Sequence, residues 1–419
     1  MEEQLKIDFD QVIKKLKPSK QEIELREKNL NRFIKNGFPN KRIEDWKFSD
    51  LNQIISSNIK GLKFLNHKIV PEKFDQSIQV NKFEHNKIIF INGLVSKIEF
   101  NYEEKDKIEI VDTYESKDLD SKNSLVYLNN ALNFNYLKLT VKENYSLNKP
   151  LIVYNITNKN LSSTVINQRI DFILKKNTSL KLINLFDDCS NNNFLNFNYQ
   201  FKVEKDAILK NYKIDHKLNT SIKYFFNNVD LEHNSLAETF IFSTGSRFIK
   251  NEVNCNLNDQ YSSAFINGII NLKDDQHHEI KTNINHLAEN TKSYQLVKSV
   301  LNDNSKGVYQ GKIFVSLKGQ KTDGYQLSKA LLLNENTEFD AKPELEIYAD
   351  DVKCSHGSTS GNLDEELIFY LRSRGLNYKQ SKELLINGFL LDVVEKITDL
   401  EVKNLIKNIM GVEEWISRI

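Results

Sequence analysis

The sequence predicts a mostly β protein, a two-sided β-solenoid with helical segments before and after it. Three observations support this fold class. Residues 1–66 repeat apolar side chains every three or four positions, as amphipathic helices do. From about residue 85 to 350, short β-branched and aromatic runs alternate with brief polar turns. After Gly361 the helical spacing returns.

The N-terminal segment predicts two helices and a third, aromatic stretch. DFDQVIKKL places its apolar residues on one helical face, and Pro18 ends that helix. Ser19-Lys20-Gln21-Glu22 then has the S-x-x-E form of a capping box, which predicts the start of a second helix. We expect that helix to end at Gly37 in a left-handed conformation.

The middle of the chain has an internal period. An apolar residue followed by a polar turn recurs about every 30 residues at first and about every 15 residues later. The positions are Val141, Leu174, Val203, Leu231, Leu257, Leu272, Leu287, Leu301, Leu317 and Leu333. Half-turns of about 15 residues and full turns of about 30 indicate a coil that lays strands on two opposite walls.

A β-sandwich built from hairpins is the alternative for this region. Its turn signals come every 8–12 residues or so, which is closer than the spacing found here. Asn-Gly pairs, typical of hairpin turns, occur at 36–37, 92–93, 267–268 and 387–388, and only the second and third of these lie in this region. The pattern therefore favours the solenoid.

The C-terminal segment predicts three helices. DEELIFYLRSRG has acidic residues in its first turn, arginines in its last and Gly375 just beyond, which suits the helix dipole. Asn377 opens a second helix that we expect to end near Gly388. Thr398-Asp399-Leu400-Glu401 predicts a capping box for a third, ending at Gly411. The predicted regions are 1–84, 85–360 and 361–419, the last of which is either an end cap or a docking platform.

Composition excludes several classes of protein. The chain carries 58 basic and 57 acidic residues, which argues against a nucleic-acid-binding or polybasic membrane surface. No apolar run reaches the roughly 18 residues of a membrane-spanning helix, and the N-terminus does not resemble a secretory signal. Cysteines 189, 255 and 354 are too few and too widely spaced for a disulfide framework. We expect a soluble intracellular protein.

The stretch DDVKCSHGSTSG contains the strongest candidate for chemistry. On a strand, Cys354 and His356 project from the same face, roughly 6.5–7 Å apart. A thiolate and an imidazole so placed can contribute to a soft-metal site that a partner would have to complete. The alternatives are a buried structural cysteine beside a hydrogen-bonded histidine, and a Cys–His hydrolase dyad, which this spacing suits poorly.

Two weaker candidates are also present. The small residues 357–361 precede a helix and suit a phosphate, but they lack the lysine of a P-loop, and a turn out of the solenoid is the simpler interpretation. His277, His278 and His286 suggest a metal cluster, yet adjacent strand residues face opposite sides. We interpret His277-His278 as part of a polar turn.

Residues 309–389 carry a more specific signal. They resemble the SufB/SufD family of iron–sulfur cluster assembly proteins, and the N-terminal RIEDWKFSDL, with Trp46 and Lys47, is similar to a second motif of that family. The matching C-terminal residues are Gln310, Gly311, Lys312, Asp323, Gln326, Pro343, Glu346, Asp350, Asp351, Cys354, His356, Gly357, Gly361, Phe369, Tyr370, Arg374 and Gly375. The chain resembles the SufD branch, because residues 334–342 lack the cysteine expected in SufB.

The resemblance implies a right-handed parallel β-helix flanked by helical subdomains, in a non-catalytic scaffold of the bacterial cytoplasm. It implies a heterodimer with SufB, a SufC ATPase on the C-terminal helices, an indirect link to a sulfur donor and a possible homodimer in isolation. Iron or a nascent Fe–S cluster would bind transiently at the SufB interface, and this chain would bind no nucleotide itself.

The resemblance also implies two sets of site residues. His356, and less securely Cys354, would be the metal residues, shared with SufB. The SufC-docking region would include Arg372, Arg374, Tyr378, Leu384, Leu385 and Phe389. Two other functions remain open: an intracellular β-helix carbohydrate-active enzyme, which the absence of a signal peptide disfavours, and a purely structural solenoid without metal chemistry.

Overall fold

A computed structural model of the protein describes residues 2–64, 80–112, 122–134, 136–188 and 191–412. Cys189 lies outside these ranges, as do parts of all three predicted regions. Before the solenoid come three helices and a 3₁₀ turn. They are α1 (Glu2–Leu16), α2 (Lys20–Asn36), the 3₁₀ turn Glu44–Trp46 and α3 (Leu51–Asn58).

The start and end of α2 follow the sequence with two differences. Ser19 Oγ accepts a hydrogen bond from the Glu22 amide (3.3 Å), as a capping residue does. The Glu22 carboxylate does not complete the capping box, because it accepts a bond from Arg26 Nε (2.8 Å) instead. Gly37 has the expected positive φ of 67°, but its ψ of −167° is extended and not left-handed helical.

Nineteen strands in the described ranges form two walls. The first wall contains β1 (Asn86–Ile91), β2 (Leu94–Glu99), β5 (Leu151–Thr157), β7 (Ser179–Asp188), β9 (Ile208–Asp215), β11 (Leu236–Ser243), β13 (Ser263–Leu272), β15 (Lys292–Leu301), β17 (Asp323–Leu332) and β19 (Lys353–Gly361). The second contains β3 (Ile108–Asp112), β4 (Tyr136–Val141), β6 (Val165–Leu174), β8 (Phe194–Val203), β10 (Ile222–Leu231), β12 (Phe248–Leu257), β14 (His277–His286), β16 (Lys306–Val315) and β18 (Glu338–Ile347).

Strand pairing confirms the solenoid and its period. β1 pairs with β2, and β3 with β4, in antiparallel fashion, whereas the remaining pairs are parallel and join consecutive coils. Phe248 on β12, for example, lies beside His277 on β14, its equivalent one full coil further along the chain. From β4 onward, consecutive strands alternate between the walls, so each coil contributes one strand to each wall. The predicted full turn, made of two half-turns, is therefore confirmed.

The backbone conformation explains why the turns are rich in Asn and Asp. Asn177, Asp206 and Asn234 have φ angles of 56°, 58° and 52°, in the left-handed region that Asn and Asp tolerate better than most residues. Their side chains also connect the coils: Asn234 Nδ2 donates to Asp206 Oδ1 at 2.8 Å. The recurring polar residues thus mark where each coil changes wall.

One element within the predicted β region was missed. Helix α4 (Ser124–Leu132) is buried at every position, so it lacks the apolar–polar alternation that reveals a surface helix. It packs between α2 and the second wall. Asn129 Nδ2 donates to the carbonyls of Gln168 and Asn196 (3.1 and 2.8 Å), and Arg26 Nη1 donates to the carbonyl of Ala131 (3.0 Å).

Residues 44–49, which we call the strap, fasten the N-terminal segment to the second wall. Lys250 and Glu279, both fully buried, form an ion pair beneath it. Lys250 also donates to the Asp45 carbonyl (2.8 Å) and lies 4.5 Å from the Trp46 ring centre, while Ser49 donates to Glu279. Burial opposes ionisation of Glu279, but Lys250 and His277 outweigh it and lower the pKa of that carboxyl.

The strap also extends toward the last coil. Asp45 pairs with Lys281 on β14 (2.8 Å), and Glu44 pairs with Lys342 on β18. Lys306 of β16 lies 5.9 Å from the ring centre of Phe48. The RIEDWKFSDL motif therefore contacts four successive strands of one wall.

Three helices follow the solenoid: α5 (Glu365–Ser373), α6 (Tyr378–Val394) and α7 (Leu400–Ile409). The Asn377–Gln380 capping box is complete. Helix α6 continues past Gly388, so the predicted stop there is wrong; the helix packs its apolar side on the first wall. The cap of α7 is Asp399 and not Thr398, since Asp399 Oδ1 accepts from the Val402 amide (3.1 Å). No helix in the described residues is long and apolar enough to cross a membrane.

The interior of the solenoid is mainly apolar but encloses two histidines. His278 is fully buried, with its ring nitrogens near Ser243 Oγ (2.9 Å) and the Ser246 carbonyl (2.7 Å). His286 contacts Thr291 Oγ1 (2.7 Å) and Ser293 Oγ (2.9 Å). Burial lowers the pKa of His278 to about 3 and that of His286 to about 4.

We expect Lys250→Met to destabilise the protein by about 3 kcal/mol, because it leaves the buried Glu279 carboxylate without its main cation. Urea unfolding followed by circular dichroism measures the change. Lys379→Met is the matched control: its ion pair with Glu383 is exposed and 4.0 Å long, so the cost is below about 0.5 kcal/mol. Equal costs for the two variants would contradict the role given to the buried pair.

We expect the free energy of unfolding to fall by about 4 kcal/mol between pH 7 and pH 5 from the two interior histidines. Unfolded histidine binds a proton below about pH 6.5, whereas the folded rings stay neutral until about pH 3 and 4. Stability therefore rises with pH across this window. Urea unfolding at both pH values tests this.

The pH effect has a matched pair of variants. His286→Gln should remove about 2 kcal/mol of the pH dependence, half of the part that comes from the two interior histidines, whatever its effect on stability at pH 7. His233→Gln, at a partly exposed position, should keep all of it. A pH dependence unchanged by His286→Gln would show that this ring is not held neutral.

Candidate functional site at the open end of the solenoid

The solenoid ends in two strands that are each paired on one side only. β18 pairs with β16 and β19 pairs with β17, and no described strand continues either wall. An unpaired edge presents a row of free backbone N–H and C=O groups that another strand can bind. The last coil can therefore accept a second chain at its edges, as can β2 and β3 at the opposite end of the two walls.

Cys354 and His356 lie on β19 and face the interior of the solenoid. In register, Cys354 lies beside Gly324 and His356 beside Gln326, both of which point inward and are buried. The two side chains share one face, as expected. Because no described coil follows, His356 is exposed, and its side chain forms no hydrogen bond with any residue in the described ranges. The alternative of a hydrogen-bonded structural histidine is not observed.

Cys354 is half-buried. It packs against a small apolar group that includes Ile313, Leu345 and Val352. Burial raises the pKa of its thiol and Asp323 adds to this, while a backbone hydrogen bond with Gly324 opposes it. The thiol is consequently protonated near neutral pH in the isolated chain.

A hydrogen-bonded floor supports the two side chains. Gln326 donates to the Glu344 carbonyl (3.2 Å) and accepts from Tyr309 Oη (3.4 Å). Tyr309 Oη is also 3.2 Å from Gln295 Oε1, one coil deeper. A side chain at Gly311 would overlap both Gln326 and Tyr309. Gln326 and Gly311, two residues of the sequence motif, therefore shape the surface beneath His356.

Residues 357–361 are not the predicted turn out of the solenoid, because they continue strand β19 and pair with Leu327–Leu331. Ser328 Oγ donates to Ser358 Oγ (2.9 Å) within this pairing. The segment is not at a helix N-terminus either, since α5 is capped by Asp364, whose carboxylate accepts from the Glu366 and Leu367 amides. A phosphate would face that carboxylate.

The other histidines do not form a site. His277 and His278 begin strand β14, so the prediction of a turn there is wrong. His277 pairs with Glu279 (2.9 Å), whereas His278 and His286 are enclosed by the interior. Across the described residues, no group of three or more His, Cys, Asp or Glu side chains is placed to hold a metal ion.

The residues predicted to dock a partner lie on α5, α6 and the turn between them. Arg372, Arg374 and Tyr378 are exposed. Leu384 and Leu385 are half-buried on α6, whereas Phe389 packs toward the first wall, 4.5 Å from Lys298 Nζ.

Sequence reasoning missed the most exposed aromatic side chain of this region. Phe369 is 73% exposed on α5, beside Tyr370 at 53%. The signal was present in DEELIFYLRSRG, where helical spacing leaves Ile368 as the one buried residue of that helix. Large exposed apolar side chains on one short helix mark a surface suited to binding another protein.

Comparison with known proteins identifies the family of this chain. Residues 154–389 match the family described as SUF system FeS cluster assembly, SufBD core domain. The chain belongs to the SufBD family. The match contains the stacked coils, the Cys354–His356 strand and most of α6.

Individual relatives support the same family. The iron–sulfur cluster assembly protein SufD of Escherichia coli is 26% identical over 384 residues, covering 90% of this chain and 89% of the relative. A SufBD family protein of Synechocystis is 40% identical over 123 residues, or 29% of this chain and 26% of the relative. SufD of Bacillus subtilis is 30% identical over 140 residues, or 33% and 31%.

We expect Cys354 to react with iodoacetamide faster than Cys255 but more slowly than a free cysteine at pH 7.5. Cys354 is half-buried with a raised thiol pKa, whereas burial raises the pKa of Cys255 to about 12. Peptide mapping by mass spectrometry follows each site separately. Faster labelling of Cys255 in the folded protein would contradict the placement of the two thiols.

Proposed function

We propose that this protein is a non-catalytic scaffold of the SUF machinery, which pairs with SufB and binds a SufC ATPase. In this proposal it aids iron entry or cluster formation at the interface with SufB. The observation that carries it is the open end of the solenoid, where an unpaired edge strand bears an exposed inward-facing histidine beside a half-buried cysteine. The setting would be the bacterial cytoplasm.

The edge strands support the pairing. A strand added beside β18 or β19 would satisfy their free backbone groups, and it would cover the interior end of the last coil. Ile347 and Tyr348, at the end of β18, are 37% and 58% exposed, which gives a second chain apolar surface to bury. A homodimer of the isolated chain would use the same edge.

His356 would be the main ligand for iron, which is the substrate here and not a resident cofactor. An imidazole nitrogen is a good ligand for iron, and the exposed side chain of His356 needs no rearrangement to become available. Cys354 would contribute less, because its thiol is half-buried and holds its proton. Since two side chains cannot complete a site, SufB would supply the remaining ligands.

The C-terminal helices would bind SufC. The exposed face of α5, with Leu367, Phe369 and Tyr370, offers apolar contacts, and Arg372 and Arg374 offer charge. Tyr378, Leu384 and Leu385 would extend this surface along α6, with Phe389 supporting it from beneath. We retain regions 1–84, 85–360 and 361–419 as the helical, scaffold and docking parts of this proposal.

We expect SufB-like and SufC-like chains to co-purify with this protein at native levels of all three. Phe369→Ser should weaken SufC recovery while leaving SufB, because the aromatic ring lies on the exposed side of α5. Tyr261→Ser, at a 52% exposed aromatic on a solenoid turn, is the control and should leave both partners. A chain purified alone at native levels would contradict the partner assignment.

We expect His356→Ala to lower cluster formation at least about tenfold in the reconstituted complex, with SufB and SufC still bound. Ser355→Ala, the adjacent outward-facing position, should be neutral in the same assay. Fe–S absorbance and iron content per complex give the readout. Normal cluster formation by His356→Ala would favour a purely structural role for this end of the solenoid.

A further inference from the structure

A groove on the outer face of the first wall lies apart from the open end. It has a volume of about 520 Å³ and runs between strands β9, β11, β13, β15 and β17 and the end of helix α6. Its size is within the roughly 300–1,000 Å³ typical of small-molecule sites. Helix α6 packs on β13 and β15, and the groove lies between the outer face of the first wall and the C-terminal end of this helix.

The floor of the groove is a ladder of aromatic rings from three consecutive coils. Phe265, Tyr294 and Tyr325 occupy equivalent outward positions on β13, β15 and β17. The first two rings stack with centres 5.9 Å apart, and Tyr294 lies 6.2 Å from Tyr325. Tyr294 is 41% exposed, so its ring is open to a ligand. Such a floor suits a flat ring system.

The acidic side chains at the rim of the groove have cationic neighbours, whereas two of its lysines form no ion pair among the described residues. Asp392 is neutralised by Lys298 (2.8 Å), and Glu238 is 3.5 Å from Lys210. Lys329 and Lys396 also line the groove, and neither forms an ion pair with a residue in the described ranges. Both lie close enough to Asp392 to lower its pKa further, after the larger effect of Lys298. These two lysines are therefore at the same end.

We propose that this groove binds a small planar aromatic molecule that carries a negative charge. The ring system would lie against Tyr294 and its two neighbours, and the anionic group would face Lys329 and Lys396. The two unpaired lysines indicate the charge of the ligand. A neutral ring would leave both lysines without a counter-charge, and a cationic ring would be repelled by them. This site is independent of the partner and iron assignments, because none of its lining residues is among those assigned to SufB, SufC or iron binding.

The test uses 1-anilinonaphthalene-8-sulfonate, a fluorescent planar anion, and its uncharged analogue N-phenyl-1-naphthylamine, with the full-length chain. We expect saturable binding of one sulfonate probe per chain, tighter than that of the neutral probe. Lys329→Ala/Lys396→Ala should weaken the anion roughly threefold to tenfold and leave the neutral probe unchanged. Tyr294→Ser should weaken both probes, and Tyr294→Phe neither.

Lys292→Ala is the matched charge control, since Lys292 is exposed on β15 but does not line the groove. It should leave both probes unaffected. Circular dichroism of each variant checks that the fold is kept. We expect it to be kept, because none of these side chains is buried. Equal affinity of wild type and the double lysine variant for the anion, or no effect of Tyr294→Ser, would overturn the proposal.

Discussion

Each coil of this protein depends on the next one for its backbone hydrogen bonds. In a parallel solenoid the N–H and C=O groups of a strand point along the stack, so only a neighbouring coil can satisfy them. The constraint explains the interior as well, because every inward side chain rests on its equivalent one turn away. It also explains why the last coil differs from the rest: β18 and β19 have no successor among the described strands, and what a further coil would have covered is left accessible.

The candidate site is a direct result of that missing successor. Deeper coils bury their inward histidines with both ring nitrogens close to a hydrogen-bond partner, as His278 and His286 show. His356 also points inward, from the opposite wall, but it meets solvent. A histidine that would be structural in the middle of the stack is chemically available at its end. In our proposal, pairing with another chain would both satisfy the edge and complete the ligand set, so that assembly and site formation become one step.

The sequence predicted the solenoid well because its period is imposed by the backbone. Each coil needs a left-handed residue at the corner, and Asn177, Asp206 and Asn234 fill that need at regular spacing. Helix α4 was not predictable in the same way, since complete burial removes the polar face that marks a helix. Helix α6 does not end at Gly388 as expected, because packing on the first wall stabilises the helix by more than one glycine destabilises it.

The site was predictable in part. The two-residue spacing of Cys354 and His356 indicated their shared face, and the return of helical spacing after Gly361 placed them near the end of the stack. Two features could be seen only in the structure: one edge of β19 is unpaired, and its small residues continue the strand as far as Gly361. The aromatic groove was not predictable at all, because its three rings come from three successive coils and its lysines lie on a strand and beyond a helix.

The strap has a consequence for the mechanical behaviour of the open end. Stacks of repeats normally fray from their termini, since a terminal coil has one neighbour and correspondingly low local stability. Here residues 44–49 contact the wall from the strand of Lys250 to that of Lys342, so the final coil cannot separate without breaking the ion pair between Glu44 and Lys342. The edge is thereby kept extended and in register. A flat, ready edge costs less conformational entropy to dock than a frayed one.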